Sequence, residues 1–387
     1  MTTPLSPADC RQKLRRAMPV VEQAAYFDHA AVAPLTAPAA EKLRYYADQV
    51  AQRGDLVWPE FAAEIEAGRQ TAAAMLNAAP DEVAWIANTT QGINFVAGGL
   101  DWSSGQNIVT LSNEFPSNLL PWLQLGDLGV ETRLVDPDAR GAWTVESILD
   151  ACDQRTRLIA ISWVGFASGY RGPIQALTDE AHRRGILVFL DAIQGLGVFP
   201  LNVRDTAVDF LAADGHKWML GPEGAGLFYV SREALNCLRP MNVGWNSVVT
   251  RYNFDQPRLE LRPCAARYEG GTQNVPGVTA FAASLELLTA CGHGPRTSVV
   301  GEAVLENVAQ LAEQLRRRQA DVCQSSEETA SGILSFTMPH RDSQAVRDHC
   351  VKRNVAISFR GGRLRASPHA YCNQDDIDRL LDAIDEC

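Results

Sequence analysis

Two polar residues at the ends of apolar segments give this chain its clearest chemical signature. Lys217, one of only four lysines, ends the segment Asp209–Lys217, in which an apolar run leads into a polar turn. Asp191 ends a second apolar run, Ile186–Asp191. Neighbouring strand ends that offer an amine and a carboxylate suit pyridoxal phosphate, because that cofactor needs a lysine for its Schiff base and an acid that keeps its ring nitrogen protonated. The sequence therefore predicts a pyridoxal 5′-phosphate site with Lys217 and Asp191 as its catalytic residues.

A candidate phosphate site lies in the segment Asn88–Gly92, which follows an apolar run and opens a helical pattern. Backbone N–H groups and hydroxyls at a helix N-terminus bind phosphate. The threonine pair Thr89 and Thr90 is also an ordinary capping pattern. Together with the lysine and the acid, the segment predicts the seat of the cofactor phosphate, and His216 is a further candidate donor.

Three further groups complete the predicted site. Phe115 lies between a strand and a helix pattern, where its ring can stack on the cofactor. Gln194, three residues after Asp191, is placed to contact the phenolic oxygen. Arg360 and Arg365 lie in an arginine-rich segment, and a guanidinium binds an α-carboxylate in a bidentate manner. A small amino-acid substrate is the expected partner.

Apolar runs alternate with amphipathic stretches between about residues 80 and 230. The predicted strands are Glu82–Ala87, Asn107–Leu111, Leu158–Trp163, Ile186–Asp191, Phe210–Ala213 and Gly226–Val230. Such alternation predicts an α/β fold, with a mostly parallel central sheet and helices on both faces. Ligands of such sheets bind outside the carboxyl ends of the strands, where the polar residues above occur.

The rest of the chain predicts a smaller α+β domain. Residues 231–275 are irregular and predict functional loops. The predicted elements that follow are the helices 278–289, 296–318 and 343–354, the strand 333–338, a strand pair around Gly361 and Gly362, and a helix from Asp375. We therefore predict a large cofactor-binding domain over residues 20–290 and a small C-terminal domain over residues 296–387, joined by the N-terminal segment 1–19.

The amino-acid composition argues against several classes of function. A net charge of −11 argues against nucleic acid or an anionic membrane surface as the main partner. The nine cysteines are scattered and never spaced as CxxC, which predicts a reducing cytoplasm, no disulfide framework and no metal site. The polar N-terminus and the lack of a long apolar stretch also favour a soluble, cytoplasmic protein.

Seven collinear stretches resemble a known family. They are YFDHAAVAP at 26–34, NTTQGINFVA at 88–97, NEFPSNLLPW at 113–122, LDAIQGLGVFPLNV at 190–203, DFLAADGHKWMLGPEGAG at 209–226, YEGGTQNVPG at 268–277 and RLRAS at 363–367. The chain is similar to the class-V aminotransferase family of pyridoxal-phosphate enzymes. This fold-type-I group holds cysteine desulfurases, kynureninase and isopenicillin N epimerase.

The resemblance implies roles for the residues around the cofactor. Lys217 would form the Schiff base, Asp191 would pair with the ring nitrogen, and Gln194 would contact the phenolate. Thr90 and His216 would bind the phosphate.

The resemblance also implies roles at the substrate end and at a subunit interface. Phe115 would take the stacking place that histidine holds in desulfurases, and Arg365 would bind the substrate carboxylate. Thr272 would reach the phosphate of the partner subunit, which implies a homodimer with active sites at the interface. Arg53 resembles a desulfurase residue that also enters the neighbouring site.

The sequence departs from the desulfurase pattern in a loop. Desulfurases carry a nucleophilic cysteine on an extended loop between two arginines resembling Arg360 and Arg365. Here only Gly361–Leu364 lies between them, without a cysteine. Cys350 and Cys372 flank the region, in contexts typical of structural residues.

Two further departures concern the cavity. Asp214 stands where desulfurases place a phosphate-binding serine, and since a carboxylate repels a phosphate, we expect it to point elsewhere. Phe166 replaces an asparagine, and with Tyr170 and Trp245 it predicts an apolar, aromatic substrate pocket.

Several functions fit this set of residues. Transamination is favoured because it needs only the residues that all of these reactions share, among which Lys217 moves the α-proton. A C–S lyase acting on a cysteine-like substrate without a loop cysteine, or an isopenicillin N epimerase-like epimerase, remains an alternative. A nucleotide-binding protein is disfavoured because no GxGxxG motif follows a strand, and a non-catalytic scaffold is disfavoured by the presence of Lys217.

Overall fold

The computed structural model describes residues 5–323 and 326–387. The α-helices of these residues are α1 Pro7–Arg16, α2 Ala37–Arg53, α3 Trp58–Leu76, α4 Thr89–Gly99, α5 Leu120–Leu123, α6 Val145–Asp150, α7 Ile174–Arg183, α8 Val203–Thr206, α9 Arg232–Leu235, α10 Val275–Ala290, α11 Val299–Arg317, α12 Ser343–Lys352 and α13 Gln374–Asp385. The strands are β1 Ala25–Tyr26, β2 Val83–Ile86, β3 Asn107–Leu111, β4 Glu131–Val135, β5 Thr156–Ser162, β6 Leu187–Asp191, β7 Phe210–Asp214, β8 Gly226–Val230, β9 Asp321–Cys323, β10 Leu334–Thr337, β11 Val355–Ala356, β12 Ser358–Arg360 and β13 Arg363–Ala366.

The central sheet confirms the predicted fold class. Its strand order is β2-β8-β7-β6-β5-β3-β4. Only β8 runs antiparallel to its neighbours, and the other adjacent strands are parallel. All six predicted strands are present within a few residues of their predicted bounds. The edge strand β4 was not predicted.

Two apolar cores lie on opposite faces of this sheet. Successive side chains of β6 point to opposite faces of the sheet. Phe189 therefore packs in one core and Leu190 in the other. Helix α4 covers the face that contains Phe189, and α10 contributes to the other core. Because both faces are covered, the inner strands are apolar along their whole length, which is why the sequence predicts them well.

The first turn of α4 lies close to the sheet because Gly92 has no side chain. A Cβ atom at this position would lie 2.6 Å from the Cβ of Ala212 in β7. The close approach sets the N-terminus of α4 beside the carboxyl end of β7. Any larger residue at position 92 would push the helix away from the sheet.

The C-terminal part contains a second, antiparallel sheet of order β12-β13-β10-β9. The hairpin between β12 and β13 turns on Gly361 and Gly362, whose φ values are 57° and 78°. Two successive positive φ angles are the geometry of a tight two-residue turn. The strand pair predicted from sequence is thereby confirmed.

The N-terminal segment packs on the C-terminal part of the chain. Strand β1 pairs with β11, and Arg15 of α1 forms a 2.6 Å ion pair with Asp376 of α13. The predicted domain bounds, at residues 20–290 and 296–387, remain a prediction. Among the described helices, none combines the length and hydrophobicity that a membrane crossing requires.

Candidate active site

A cavity of about 330 Å³ opens at the carboxyl ends of β3, β5, β6 and β7. It is the kind of ligand site expected for an open α/β sheet. Most of the residues selected from the sequence line it: Thr89, Thr90, Phe115, Asp191, Gln194, His216, Lys217, Arg360 and Arg365. The fold thus brings together residues that lie up to 276 positions apart, from 89 to 365.

Lys217 sits on a short loop that is held closed by backbone hydrogen bonds. Gly221 N–H donates to Gly215 O at 2.8 Å, and Leu220 N–H donates to Lys217 O at 3.0 Å. Leu220 is fully buried and has a φ of 58°, which is strained for a leucine and costs about 1–3 kcal/mol. The surrounding packing therefore holds the base of the Lys217 side chain in one conformation.

The Lys217 amine lies in a desolvated environment. Burial lowers its pKa to about 8, Asp191 opposes this shift, and Arg365 adds to it. The Nζ atom lies 5.8 Å from the centre of the Phe115 ring. The neutral, nucleophilic form of the amine is therefore far more populated near neutral pH than it is for an ordinary lysine, and it dominates above about pH 8.

This lowered pKa predicts the pH dependence of cofactor attachment. Only the neutral amine of Lys217 attacks an aldehyde, so the attachment rate of pyridoxal phosphate to the apoenzyme is expected to rise with pH and level off above about 8. Stopped-flow absorbance at a series of pH values measures this rate. A rate that keeps rising toward the pKa of an ordinary lysine would contradict the assignment.

Asp191 is a buried acid at the end of β6. It is 4% exposed, and Oδ1 accepts a hydrogen bond of 3.1 Å from Ile193 N–H. Burial raises its pKa to about 6, while the Ile193 N–H and the Lys217 charge favour ionisation. Near neutral pH this carboxylate is largely ionised and is suited to hold a cation such as a protonated ring nitrogen.

Gln194 is fixed at both ends of its amide. Its Oε1 accepts from Trp218 Nε1 at 2.9 Å, and its Nε2 donates to Ala30 O at 3.0 Å. The amide nitrogen carries a second hydrogen, and the side chain lines the cavity. That remaining donor fits the predicted contact with a phenolic oxygen.

The N-terminus of α4 faces the other end of the cavity. Thr89 Oγ1 accepts from Asp214 N–H at 2.9 Å, which ties the helix to β7, and Thr90 Oγ1 donates to Ser117 Oγ at 2.8 Å. Asn88 caps the helix by accepting from Gln91 N–H at 2.9 Å. The other amides of the first turn, those of Thr89 and Thr90, have no intrahelical partner and are suited to an anion.

Asp214 lines the same cavity as the other site residues. The expectation that its carboxylate points away from a bound phosphate stays a prediction. Its Oδ2 lies 3.0 Å from Nδ1 of His216.

The contact between Asp214 and His216 also leaves polar atoms unpaired. It lacks hydrogen-bond geometry, and within the described residues Asp214 Oδ1 and His216 Nδ1 have no hydrogen-bond partner. Buried polar atoms are rarely left in this way. A polar ligand group at this end of the cavity would explain them.

Arg365 is buried and oriented by three contacts. Its Nε donates to Ser358 Oγ at 3.1 Å, Nη1 donates to Phe166 O at 2.7 Å, and Nη2 donates to Asp28 Oδ1 at 3.3 Å. Each terminal nitrogen carries a second N–H. The guanidinium therefore keeps two donors for a carboxylate in the cavity.

The cavity mouth is aromatic, although only partly as predicted. Phe115 and Phe166 pack edge to face with ring centres 5.3 Å apart, and both line the cavity. Tyr170 and Trp245 do not line it: the Tyr170 hydroxyl donates to Trp143 O, and Trp245 packs near Tyr252. Within one subunit the fold carries both side chains away from this cavity.

A scan of family models matches Aminotransferase class-V over residues 25–380. The chain belongs to the class-V aminotransferase family. This family is one of pyridoxal-phosphate-dependent enzymes, and the chain is an enzyme of that class.

One relative by sequence and two solved structures of similar fold match nearly the whole length of this class-V enzyme. A probable cysteine desulfurase of Methanothermobacter thermautotrophicus is 28% identical over 97% of both chains. The apo cysteine desulfurase of Thermococcus onnurineus has a TM-score of 0.86 at 23% identity and covers 100% of this chain and 99% of its own. The cystine C–S lyase C-DES, in complex with its product cysteine persulfide, has a TM-score of 0.86 at 21% identity and covers 95% of this chain and 99% of its own.

The described residues fit the cofactor of this family. Lys217 provides the amine, Asp191 the acid for the ring nitrogen, and Gln194 a donor for the phenolic oxygen. The unpaired atoms of Asp214 and His216, beside the N-terminus of α4, mark the phosphate end.

Two of the predicted site residues of this class-V enzyme, Thr272 and Arg53, lie outside the cavity that contains Lys217. Thr272 lines a separate pocket on the exposed Gly270–Gln273 loop. Arg53 is exposed, and its guanidinium donates to Gln49 Oε1 at 2.9 Å. One subunit alone therefore does not bring either residue to Lys217.

Sequence reasoning missed two charged residues of the site. Asp28 holds Arg365, and Glu114 accepts hydrogen bonds from Ser162, which lines the cavity. Each acid lies within a stretch that resembles the family, YFDHAAVAP and NEFPSNLLPW. The signal in the sequence that could have indicated these site residues was an acidic residue next to the end of a strand.

Proposed function

We propose that this class-V enzyme is a C–S lyase that releases sulfur from a cysteine-type amino acid by direct β-elimination. The similarity to proteins named cysteine desulfurase, and to a protein described as a cystine C–S lyase, supports this alternative over the transamination favoured from the sequence.

The observation that carries this proposal is the tight turn between β12 and β13. Its two central residues, Gly361 and Gly362, leave no room for an extended loop. Within the described residues no cysteine lines the cavity. Cys350 and Cys372 are buried, and burial raises the pKa of both thiols, that of Cys350 to about 11. A persulfide route needs an exposed thiolate, so elimination without a protein thiol fits better.

Different residues of the cavity have different roles in such an elimination. Bound pyridoxal phosphate supplies an electron sink for the electron pair left on Cα. Arg365 holds the substrate carboxylate, and Lys217 removes the Cα proton. The Cβ–S bond then breaks, and the sulfur leaves with the bonding electron pair. After protonation it is hydrogen sulfide when the substrate is cysteine and a persulfide when the substrate is cystine. Water converts the released aminoacrylate to pyruvate and ammonium.

Product analysis tests this function. Purified holoenzyme is incubated with cysteine and with cystine, and sulfur species, pyruvate, alanine and ammonium are quantified. We expect pyruvate and ammonium in equal amounts, with no alanine. The Cys350→Ser/Cys372→Ser double variant is expected to give the same products. Alanine that depends on either cysteine would revive the desulfurase mechanism, and amino transfer that depends on an added keto acid would identify an aminotransferase.

We further propose that the enzyme is a homodimer in which Thr272 reaches the cofactor phosphate of the partner subunit, with Arg53 near the same interface. The proposal is supported by the exposed position of the Thr272 loop, which is anchored by Glu269 through a buried ion pair with Arg69. Mixing Lys217→Ala with Thr272→Asp subunits tests it. Two inactive variants that regain activity on mixing would support a shared site, whereas a monomer in sedimentation would exclude it.

A substitution at Arg365 tests carboxylate binding. In Arg365→Lys the two free donors of the guanidinium are replaced by a point charge, so the KM for the amino acid is expected to rise about 10–100-fold while kcat changes less. The matched control is Arg363→Lys in the same strand, since Arg363 pairs with Asp321 at 2.9 Å and does not line the cavity. Equal effects of both substitutions on KM would argue that Arg365 does not bind the carboxylate.

A further inference from the structure

A second buried carboxylate lies next to Asp191. Glu114 follows β3 and is 7% exposed. Its Oε1 accepts from Ser162 N–H at 2.7 Å, and its Oε2 accepts from the Ser162 hydroxyl. Ser162 is the last residue of β5 and is the direct partner of Asp191 in the adjoining strand β6. The three residues thus form one buried cluster at the carboxyl end of the sheet.

The local geometry explains why Glu114 turns inward. The pairing of β3 with β5 ends at Val109 and Ile159. Beyond that point the Ser162 N–H would have no partner in β3, and the Glu114 carboxylate takes that place. This requirement alone explains an acceptor at position 114, which a neutral glutamine would also supply.

The negative charge of Glu114 has no cation to balance it. Among the ion pairs of the described residues, none includes Glu114. Burial raises its pKa to about 7, and repulsion by Asp191 contributes to the shift. A buried carboxylate without a cation is unfavourable. A cation bound in the cavity beside Asp191 would relieve this cost for both acids.

We propose that Glu114 is a positioning residue for the cofactor: held by Ser162 beside Asp191, its charge helps keep the ring nitrogen of bound pyridoxal phosphate protonated. The proposal needs only the family cofactor, so it holds for elimination and transamination alike. Glu114 acts through its electrostatic field, and it does not touch the substrate. The backbone N–H of Ser162 holds the carboxylate, and an alanine at position 162 keeps that contact.

This role can be tested by measuring the binding of two cofactors that differ only in the atom at the ring-nitrogen position. The apoenzyme is titrated with pyridoxal phosphate and with its 1-deaza analogue, in which carbon replaces the ring nitrogen. In Glu114→Gln, which keeps an acceptor for Ser162, the preference for the natural cofactor is expected to fall about tenfold, the equivalent of one pKa unit. Thermal unfolding monitors the fold of each variant.

Ser162→Ala is the matched control, because it removes a contact of Glu114 and leaves the charge in place. It is expected to keep the wild-type preference. An unchanged preference in Glu114→Gln would overturn the proposal and leave Glu114 as a backbone cap. A Ser162→Ala variant that loses the preference would also overturn it, whether or not Glu114→Gln folds.

Discussion

Replacing Lys217 with alanine is expected to reduce turnover by about 10³-fold or more and to abolish borohydride labelling of the protein. The Nζ atom is the amine that the cavity offers to a carbonyl group, and it is also the base placed to move the Cα proton. The fold is expected to persist, because the Lys217 side chain lines the cavity and is not part of the apolar core. Activity, peptide mapping after reduction and thermal unfolding measure the three effects.

Lys42→Ala is the matched control for Lys217→Ala. Lys42 pairs with Glu64 at 2.7 Å on the helices α2 and α3 and does not line the cavity. Its removal is expected to leave labelling and turnover unchanged. Labelling that remains in Lys217→Ala, at any other lysine, would disprove the assignment of Lys217.

Replacing Asp191 with asparagine is expected to lower kcat about 10²–10³-fold while the cofactor stays bound. The neutral amide no longer favours a protonated ring nitrogen, so the electron sink is weakened. The phosphate end of the cavity, around Thr90 and His216, is unchanged. Steady-state kinetics and the cofactor content after gel filtration measure the two effects separately.

Asp209→Asn makes the same chemical change at another buried acid. Asp209 precedes β7 at the opposite end of the sheet, where it contacts His182 at 2.9 Å and accepts from Val188 N–H. We expect this variant to lose stability and to keep the wild-type kcat. Full turnover in Asp191→Asn would show that Asp191 is only a strand-end residue.

The inner strands were predictable because burial on both faces makes them apolar throughout. The edge strand β4 was not predictable in this way, since four of its five residues are exposed or half-buried. The polar residues Glu131, Thr132 and Arg133 interrupt its apolar pattern. The early helices α2 and α3 were also missed, although Thr36 caps α2 and is followed by a proline in its first turn. That start signal was available in the sequence.

The site was predictable where a single strand end carries the chemistry, as at Asp191 and Lys217. Pairings between distant segments were not predictable from one sequence. Asp28 meets Arg365 across 337 positions, and Glu114 meets Ser162 across 48 positions. A loop acid such as Glu114 is normally solvated, and only the end of β3 pairing turns it inward.

The central claim is that sulfur leaves this site without passing through a protein cysteine. Intact-protein mass spectrometry of the wild-type holoenzyme, taken after turnover of cysteine without reductant, tests it most directly. We predict that the protein mass is unchanged while pyruvate accumulates. A protein that gains one sulfur atom on a cysteine, with alanine as the co-product, would contradict the account.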